Sequence, residues 1–216
     1  MDWSPVAISL QTAVTATALT LIAGVSAARW RMGRSGRWVD FLDAALLLPL
    51  ALPPTVVGLV LLMIFGRQSP VGELLASLGA AVVFSWPATV IAAFVVAFPI
   101  MYQTAKGAFL QVNNELVDSA RVFGFSERRI LWQVMLPLAW PGILAGLILS
   151  FVRGLGEFGA TLMLAGNIPG RTQTIPIAIF FHVEAGDMKS AVILAGIIVA
   201  ISVTALLVLA RLSPKS

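Results

Sequence analysis

The chain has 216 residues, 59% of them apolar and only 11% charged, with a formal net charge of +4, one histidine and no cysteine. A soluble domain carries about twice that charged fraction, so a globule with a water-facing polar surface is excluded. The absence of cysteine excludes disulfides, thiolate metal sites and a cysteine nucleophile.

Crossing the hydrocarbon takes about 20 apolar residues in a helix, because lipid offers no partner for an open backbone donor or acceptor. Five segments meet that demand: residues 6–28, 44–65, 80–104, 136 to about 164, and 190–210. The predicted fold class is an all-α integral membrane protein of about five transmembrane helices, with residues 1–216 as a single transmembrane domain. The short apolar stretches 72–79 and 175–183 fit interfacial or re-entrant pieces, and either would bring the membrane elements to six. Ahead of residue 6 only Asp2 and the amino terminus are charged, whereas a signal peptide needs a basic leader, so the first segment is expected to stay attached.

The second segment carries Pro49, Pro53 and Pro54, which remove backbone donors and predict a bend or local unwinding. That places a candidate gate there; the alternative is a kink that only shapes packing. The fourth segment holds Arg153 and Glu157, four residues apart on one helical face. An ionisable residue at membrane depth costs about 3 kcal/mol on insertion scales, which predicts that the two pair. A packing salt bridge and a pathway role both remain open for them.

Basic residues set the orientation. Arg29, Arg31, Arg34 and Arg37 follow the first segment, Lys106, Arg121, Arg128 and Arg129 lie in the third connection, and Arg211 and Lys215 are in the tail. The opposite side has only Arg67, Arg171 and Lys189. This predicts an outside amino terminus and a cytoplasmic carboxyl terminus. The basic residues are divided among short loops beside apolar helices, so nucleic acid is not an expected partner.

Residues 107–137 change character. Glu115, Ser119 and Phe123 recur at helical spacing, predicting a helix over residues 114–123, ended by Gly124. Ser126 followed by Glu127 starts a second helix, predicted to run to Leu136 before Pro137. The product is helix, corner, helix, with an ordinary solvated loop as the alternative.

The stretch Asp118-Ser119-Ala120, then Gly124 after three residues, then Val134-Met135-Leu136-Pro137 after nine more, resembles the E-A-A, G, I-x-L-P signature of permease subunits of binding-protein-dependent ABC importers. Asp stands for Glu, Ser for Ala and Val for Ile. The segment from Arg153 through Gly154, Leu155, Gly156, Glu157, Phe158 and Gly159 to Ala160 is similar to one in the molybdate and sulfate branch of that family. Gly166-Asn167-Ile168-Pro169-Gly170-Arg171-Thr172-Gln173-Thr174-Ile175-Pro176 resembles a stretch of the molybdate permeases, and residues 48–58 also match, so the likeness covers nearly the whole chain.

The resemblance implies a type I ABC importer permease core that imports molybdate, with tungstate close behind and sulfate or thiosulfate as the alternative. It also implies a coupling element built on Asp118, Ser119, Ala120, Arg121 and Gly124, with Leu136 and Pro137 completing the signature, which docks on a separate ATPase. Two ATP-binding cassette subunits would carry ATP-Mg, an extracytoplasmic oxyanion-binding protein would dock on residues 66–79 and 167–189, and the whole would sit in a prokaryotic cytoplasmic (inner) membrane. This chain itself is expected to bind no cofactor or metal and to hydrolyse nothing: Lys106, Lys189 and Lys215 are its only lysines, and none follows a phosphate-binding glycine loop. At this size, five helices enclose a path for a hydrated oxyanion only as a homodimer.

Two rivals belong to other classes. A secondary transporter would use Arg153 and Glu157 for proton coupling, but no repeated halves are visible. A membrane hydrolase would need His182 as base, and neither a glycine-flanked serine nor a metal-spaced carboxylate set accompanies it.

Overall fold

The computed structural model describes residues 2–212. Their regular structure is all helical, with no strand among the described residues. Lys215, counted above with the cytoplasmic tail, lies outside the described residues.

Helix α1 (Ser4–Arg31) begins with Pro5 in its first turn, where a missing N–H costs nothing, and ends on Arg29 and Arg31, whose charge suits the negative end of the helix dipole. Its buried stripe is small and hydroxylic: Ser9, Thr12, Ala13, Ala16, Thr20, Gly24 and Ala28. Small side chains let two helices touch backbone to backbone, the usual way to gain packing where lipid removes the hydrophobic drive. A methyl group on Gly24 would stand 2.8 Å from Met101 Cγ, and Thr12 Oγ1 lies 2.7 Å from Thr89 Oγ1. Both partners lie on α5 (Trp86–Leu110), the most buried helix of the fold.

The segment predicted over residues 44–65, with a bend or local unwinding at its prolines, is two helices. Helix α2 (Arg37–Ala51) starts earlier and stops before Leu52, and α3 (Pro54–Phe65) leaves at 116° to it. The cause is the Pro53-Pro54 pair: each proline drives the residue before it into extended backbone, and Leu52 and Pro53 take ψ of 144° and 138°. Pro54 then opens α3 from its first position, while Pro49 is absorbed within α2. Helix α4 (Pro70–Ser77) falls near the interfacial piece predicted over 72–79, capped by Ser69, whose Oγ accepts from the Gly72 N–H at 2.9 Å.

Helix α5 starts and ends six residues later than the segment 80–104. Its start is the Ser85-Trp86-Pro87 sequence, and the residues before it turn through Phe84, at φ +59°, whose N–H donates to the Leu164 carbonyl at 3.1 Å.

After α6 (Asn114–Val122) comes α7 (Glu127–Leu155), which does not stop before Pro137 as expected. A π-helical turn over Leu131–Met135 widens the spiral just where the proline ring would press on a preceding carbonyl, so the helix passes through. The fourth segment, predicted continuous to about 164, instead breaks at Gly156–Phe158, and α8 (Gly159–Ala165) follows. Helices α9 (Ile175–Glu184) and α10 (Met188–Leu212) complete the described chain.

Four helices are long and apolar enough to cross a membrane, and the bent α2–α3 pair makes up to five, in agreement with the predicted count. The core is the α1–α5–α7 contact, α3 packs against α8, and Ile175 and Ala178 of α9 meet Leu194 of α10. On α10 only Ala191 and Leu194 are buried, so its apolar outer face suits lipid.

Candidate functional site

The corner between α6 and α7 is held by local hydrogen bonds that its sequence dictates. Asn113 Oδ1 accepts from the Glu115 N–H at 2.8 Å and opens α6. At the other end the N–H of Phe125 reaches back to the Ala120 carbonyl at 3.0 Å and that of Gly124 to Arg121 at 2.9 Å, the closing pattern that wants a left-handed residue. Gly124 supplies it at φ +78°. Ser126 then caps α7 by accepting from the Arg129 N–H.

Arg121 ties the two arms together: Nη1 donates to Asp118 Oδ1 at 2.8 Å and Nε to Glu127 Oε1 at 2.7 Å. Bonding to Glu127, and then to Asp118, raises the Arg121 guanidinium pKa further above its ordinary value. The Arg129 guanidinium lies 4.1 Å from the Phe125 ring centroid and donates to Gln133 Oε1 at 2.7 Å. Val117 and Ala120 face inward, whereas Val122 and Phe123 stand 87% and 80% exposed on the tip. Large apolar side chains held in the open on a rigid charged corner are what a partner's pocket would take.

The structure gathers Asp118, Ser119, Ala120, Arg121 and Gly124 at this corner. Leu136 and Pro137 are not there: they lie along α7, where they line a groove with α1.

Arg153 and Glu157 do pair, Nη1 to Oε2 at 2.8 Å, but not along one continuous helix. Glu157 sits in the break after α7, 2% exposed, and its other oxygen accepts from the Ala160 N–H at 2.8 Å, so one carboxylate both balances the arginine and starts α8. Gly159 packs against the first turn of α3, where an added methyl would stand 3.1 Å from Pro54 Cβ. The two broken helices therefore meet at their breaks, with Pro54 against Gly159, two residues along from Glu157. Pro49 lies a turn away within α2.

Sequence reading missed one cluster. Asp43 accepts from Tyr102 Oη, Lys106 Nζ and, at 3.4 Å, Arg31 Nε, and so ties α2 to α1 and α5. The available signal was an acid, three residues after Asp40, at the edge of a long apolar run. His182 has Asp187 Oδ2 3.2 Å away, and no group of acids, histidines or cysteines among the described residues is placed to hold a metal.

Comparison with known proteins follows the same lines. Residues 20–216 match the family model described as binding-protein-dependent transport system inner membrane component. The molybdenum transport system permease protein ModB of Escherichia coli (strain K12) is 39% identical, over 98% of this chain and 95% of its own. The protein of the same name from Haemophilus influenzae is 37% identical, over 85% and 81%. Among solved structures, a chain of the MetNI methionine ABC transporter in an inward-facing conformation superposes with a TM-score of 0.68 at 16% identity, covering 98% of this chain and 94% of that one. An amino acid ABC transporter gives 0.65 at 17%, over 94% and 88%. These last two likenesses bear on the fold, and the sequence matches carry the family: this chain belongs to the inner membrane components of binding-protein-dependent transport systems.

Proposed function

We propose that this chain is the membrane-spanning permease of an ATP-driven importer of molybdate, with tungstate as a second cargo. The observation that carries the reading is the match, over nearly the full length, to relatives named as molybdenum transport permeases, which includes the corner and the Gly166–Pro176 stretch. The amino terminus lies outside and the carboxyl terminus in the cytoplasm, so the corner faces the cytosol.

In this reading two copies enclose the path and two ATP-binding subunits, carrying ATP-Mg, take Val122 and Phe123 of each corner. Closure of those subunits moves α6 and the base of α7 as one body, because Arg121 braces both arms. Since α7 runs from the corner to the Arg153–Glu157 pair without a stop, the motion is delivered to the place where the two broken helices touch. Pro53 and Pro54 on one side and Gly156 on the other leave backbone free to bend there. Among the described residues the spans carry, between their ends, no cluster of basic side chains able to hold a dianion tightly, which suits a path that must release its cargo. Selection then falls to an extracytoplasmic binding protein docking near residues 66–79 and 167–189.

The test is to purify the chain with its ATPase and binding protein, place the complex in lipid, and measure which oxyanion stimulates ATP hydrolysis. Molybdate and tungstate should stimulate and sulfate should not. Stimulation by sulfate alone, or uptake that persists without the ATPase and follows a proton gradient, would overturn the assignment.

A further inference from the structure

Between the Arg31 end of α1 and the first turns of α7 lies a groove of about 910 Å³, within the range of about 300–1,000 Å³ typical of pockets that hold small molecules. Its floor is apolar, with Leu21 and Ile143 among the residues that form it, and three tryptophans, Trp30, Trp132 and Trp140, stand on its walls at 41%, 64% and 50% exposure. Arg29 and Arg34 close one end.

Arg29 is the telling residue. Its Nε is buried without a hydrogen-bond partner, and Glu127 approaches its guanidinium only to 3.8 Å, near enough for attraction but too far for a hydrogen bond. The Arg34 guanidinium lies 4.9 Å from the Trp30 ring centroid, held at the mouth. An apolar trough, indole rings on its walls and two guanidinium groups at one end, Arg29 with an unpartnered Nε and Arg34 donating to the Trp30 carbonyl, match the layout of a glycerophospholipid: acyl chain, interface and phosphate in order.

We propose that this groove binds an anionic phospholipid of the inner leaflet, its phosphate on Arg29 and Arg34 and one acyl chain over Leu21 and Ile143. Neutral lipid lacks the net charge that two arginines favour. The inference rests on the orientation given under the proposed function, which puts this end of α1 at the cytoplasmic surface. It also ties the lipid to coupling, since the headgroup takes hydrogen bonds from an arginine that lies 3.8 Å from Glu127, the acid that Arg121 uses to brace the corner.

The experiment uses the complete complex with its ATPase and binding protein, extracted from vesicles of phosphatidylcholine and phosphatidylglycerol in equal amounts and weighed by native mass spectrometry. The wild-type complex should retain phosphatidylglycerol in preference to phosphatidylcholine, and R29Q/R34Q should lose that preference by roughly fivefold per arginine removed. R29K/R34K should keep most of it. In vesicles, phosphatidylglycerol should raise molybdate-stimulated ATP hydrolysis of the wild type and leave R29Q/R34Q unmoved. Equal retention of both lipids by the wild type, a reading that needs no variant, overturns the proposal. So does a photo-crosslinker at position 140 that captures another protein subunit instead of lipid. A complex that holds phosphatidylglycerol selectively but shows no oxyanion-stimulated hydrolysis would sink the transport reading and leave the lipid site standing.

Discussion

Arg121 and Glu127 face each other across Gly124, Nε donating to Oε1 at 2.7 Å and Nη2 to Oε2 at 3.3 Å. The pair spans the turn and sits in water, so it adds little to the stability of the whole fold and acts chiefly on the geometry of the corner. Reversing Glu127 with E127R should lower uptake several-fold while membrane insertion stays normal. The swap R121E/E127R should recover only part of it, because Glu at 121 would then repel Asp118. Uptake by the double variant no better than by E127R would show that the brace is irrelevant to coupling.

Gly124 has open space around it, with nothing within 4 Å of an added Cβ, so substitution there tests backbone conformation without a clash. At φ +78° an alanine costs about 1 kcal/mol, and G124A should loosen the corner modestly. G124V, branched at Cβ, should weaken attachment of the ATPase more strongly. Co-purification of the ATPase subunit with each variant reads the effect directly, and equal recovery from both would contradict it.

The Arg153–Glu157 pair makes a sign prediction. E157Q keeps an oxygen for the Ala160 N–H but strands the partly buried Arg153 charge at membrane depth, a loss of about 3 kcal/mol. R153Q/E157Q strands nothing and should be the more stable of the two, seen as a higher unfolding midpoint in detergent. If the double variant were the worse, the pair would not be acting through charge balance.

Helix α3 approaches α8 so closely that a methyl on Gly58 would fall 2.8 Å from Ala160 Cα, a backbone atom that cannot swing aside. G58A should therefore cost about 1–3 kcal/mol and also disturb the meeting of the two breaks. G196A, on α10 where nothing lies within 4 Å, is the control and should be neutral.

Hydrogen bonds from Ser190 hold the Asp187 carboxyl below its ordinary pKa at the start of α10, with His182 contributing less. A lowered folded pKa means a contribution that is complete above the ordinary aspartate range and fades as pH falls through the lowered value. No change is expected near neutrality. In acid the first turn of α10 should fray, measured as loss of amide protection at Ser190 and Ala191, and D187N should flatten that dependence.

What was legible in the sequence was local. Gly124 and Ser126 announce the corner because each acts on its own few residues, and the apolar runs announce the spans because their length is a property of composition. The breaks were harder. Residues 44–65 remain apolar straight through Pro53, so hydropathy gives no sign that this span divides and only its prolines predict a bend, whereas Gly156 lies between Arg153 and Glu157, whose spacing of four suits an unbroken helix. That the two breaks touch depends on how α3 and α8 pack, which no single segment encodes. The Asp43 cluster was hidden for the same reason, since its partners Tyr102 and Lys106 lie far along the chain. The start of α5 was misplaced because residues 80–84 are as apolar as the helix they precede, and only the Trp86-Pro87 step marks the true beginning.

The wide turn over Leu131–Met135 takes an extra residue into the spiral below Pro137, and because a wider loop absorbs that residue, the helix on its two sides keeps nearly one angular phase. A single deletion there, at Gln133 for example, would restore ordinary pitch and leave the bearing of Val122 and Phe123 nearly unchanged, whereas one in the regular helix beyond, at Leu147 for example, would swing the tip by about 100° around the shaft and draw it in by about 1.5 Å. The shaft thus carries one surplus residue next to its proline without turning the exposed tip to a new compass bearing.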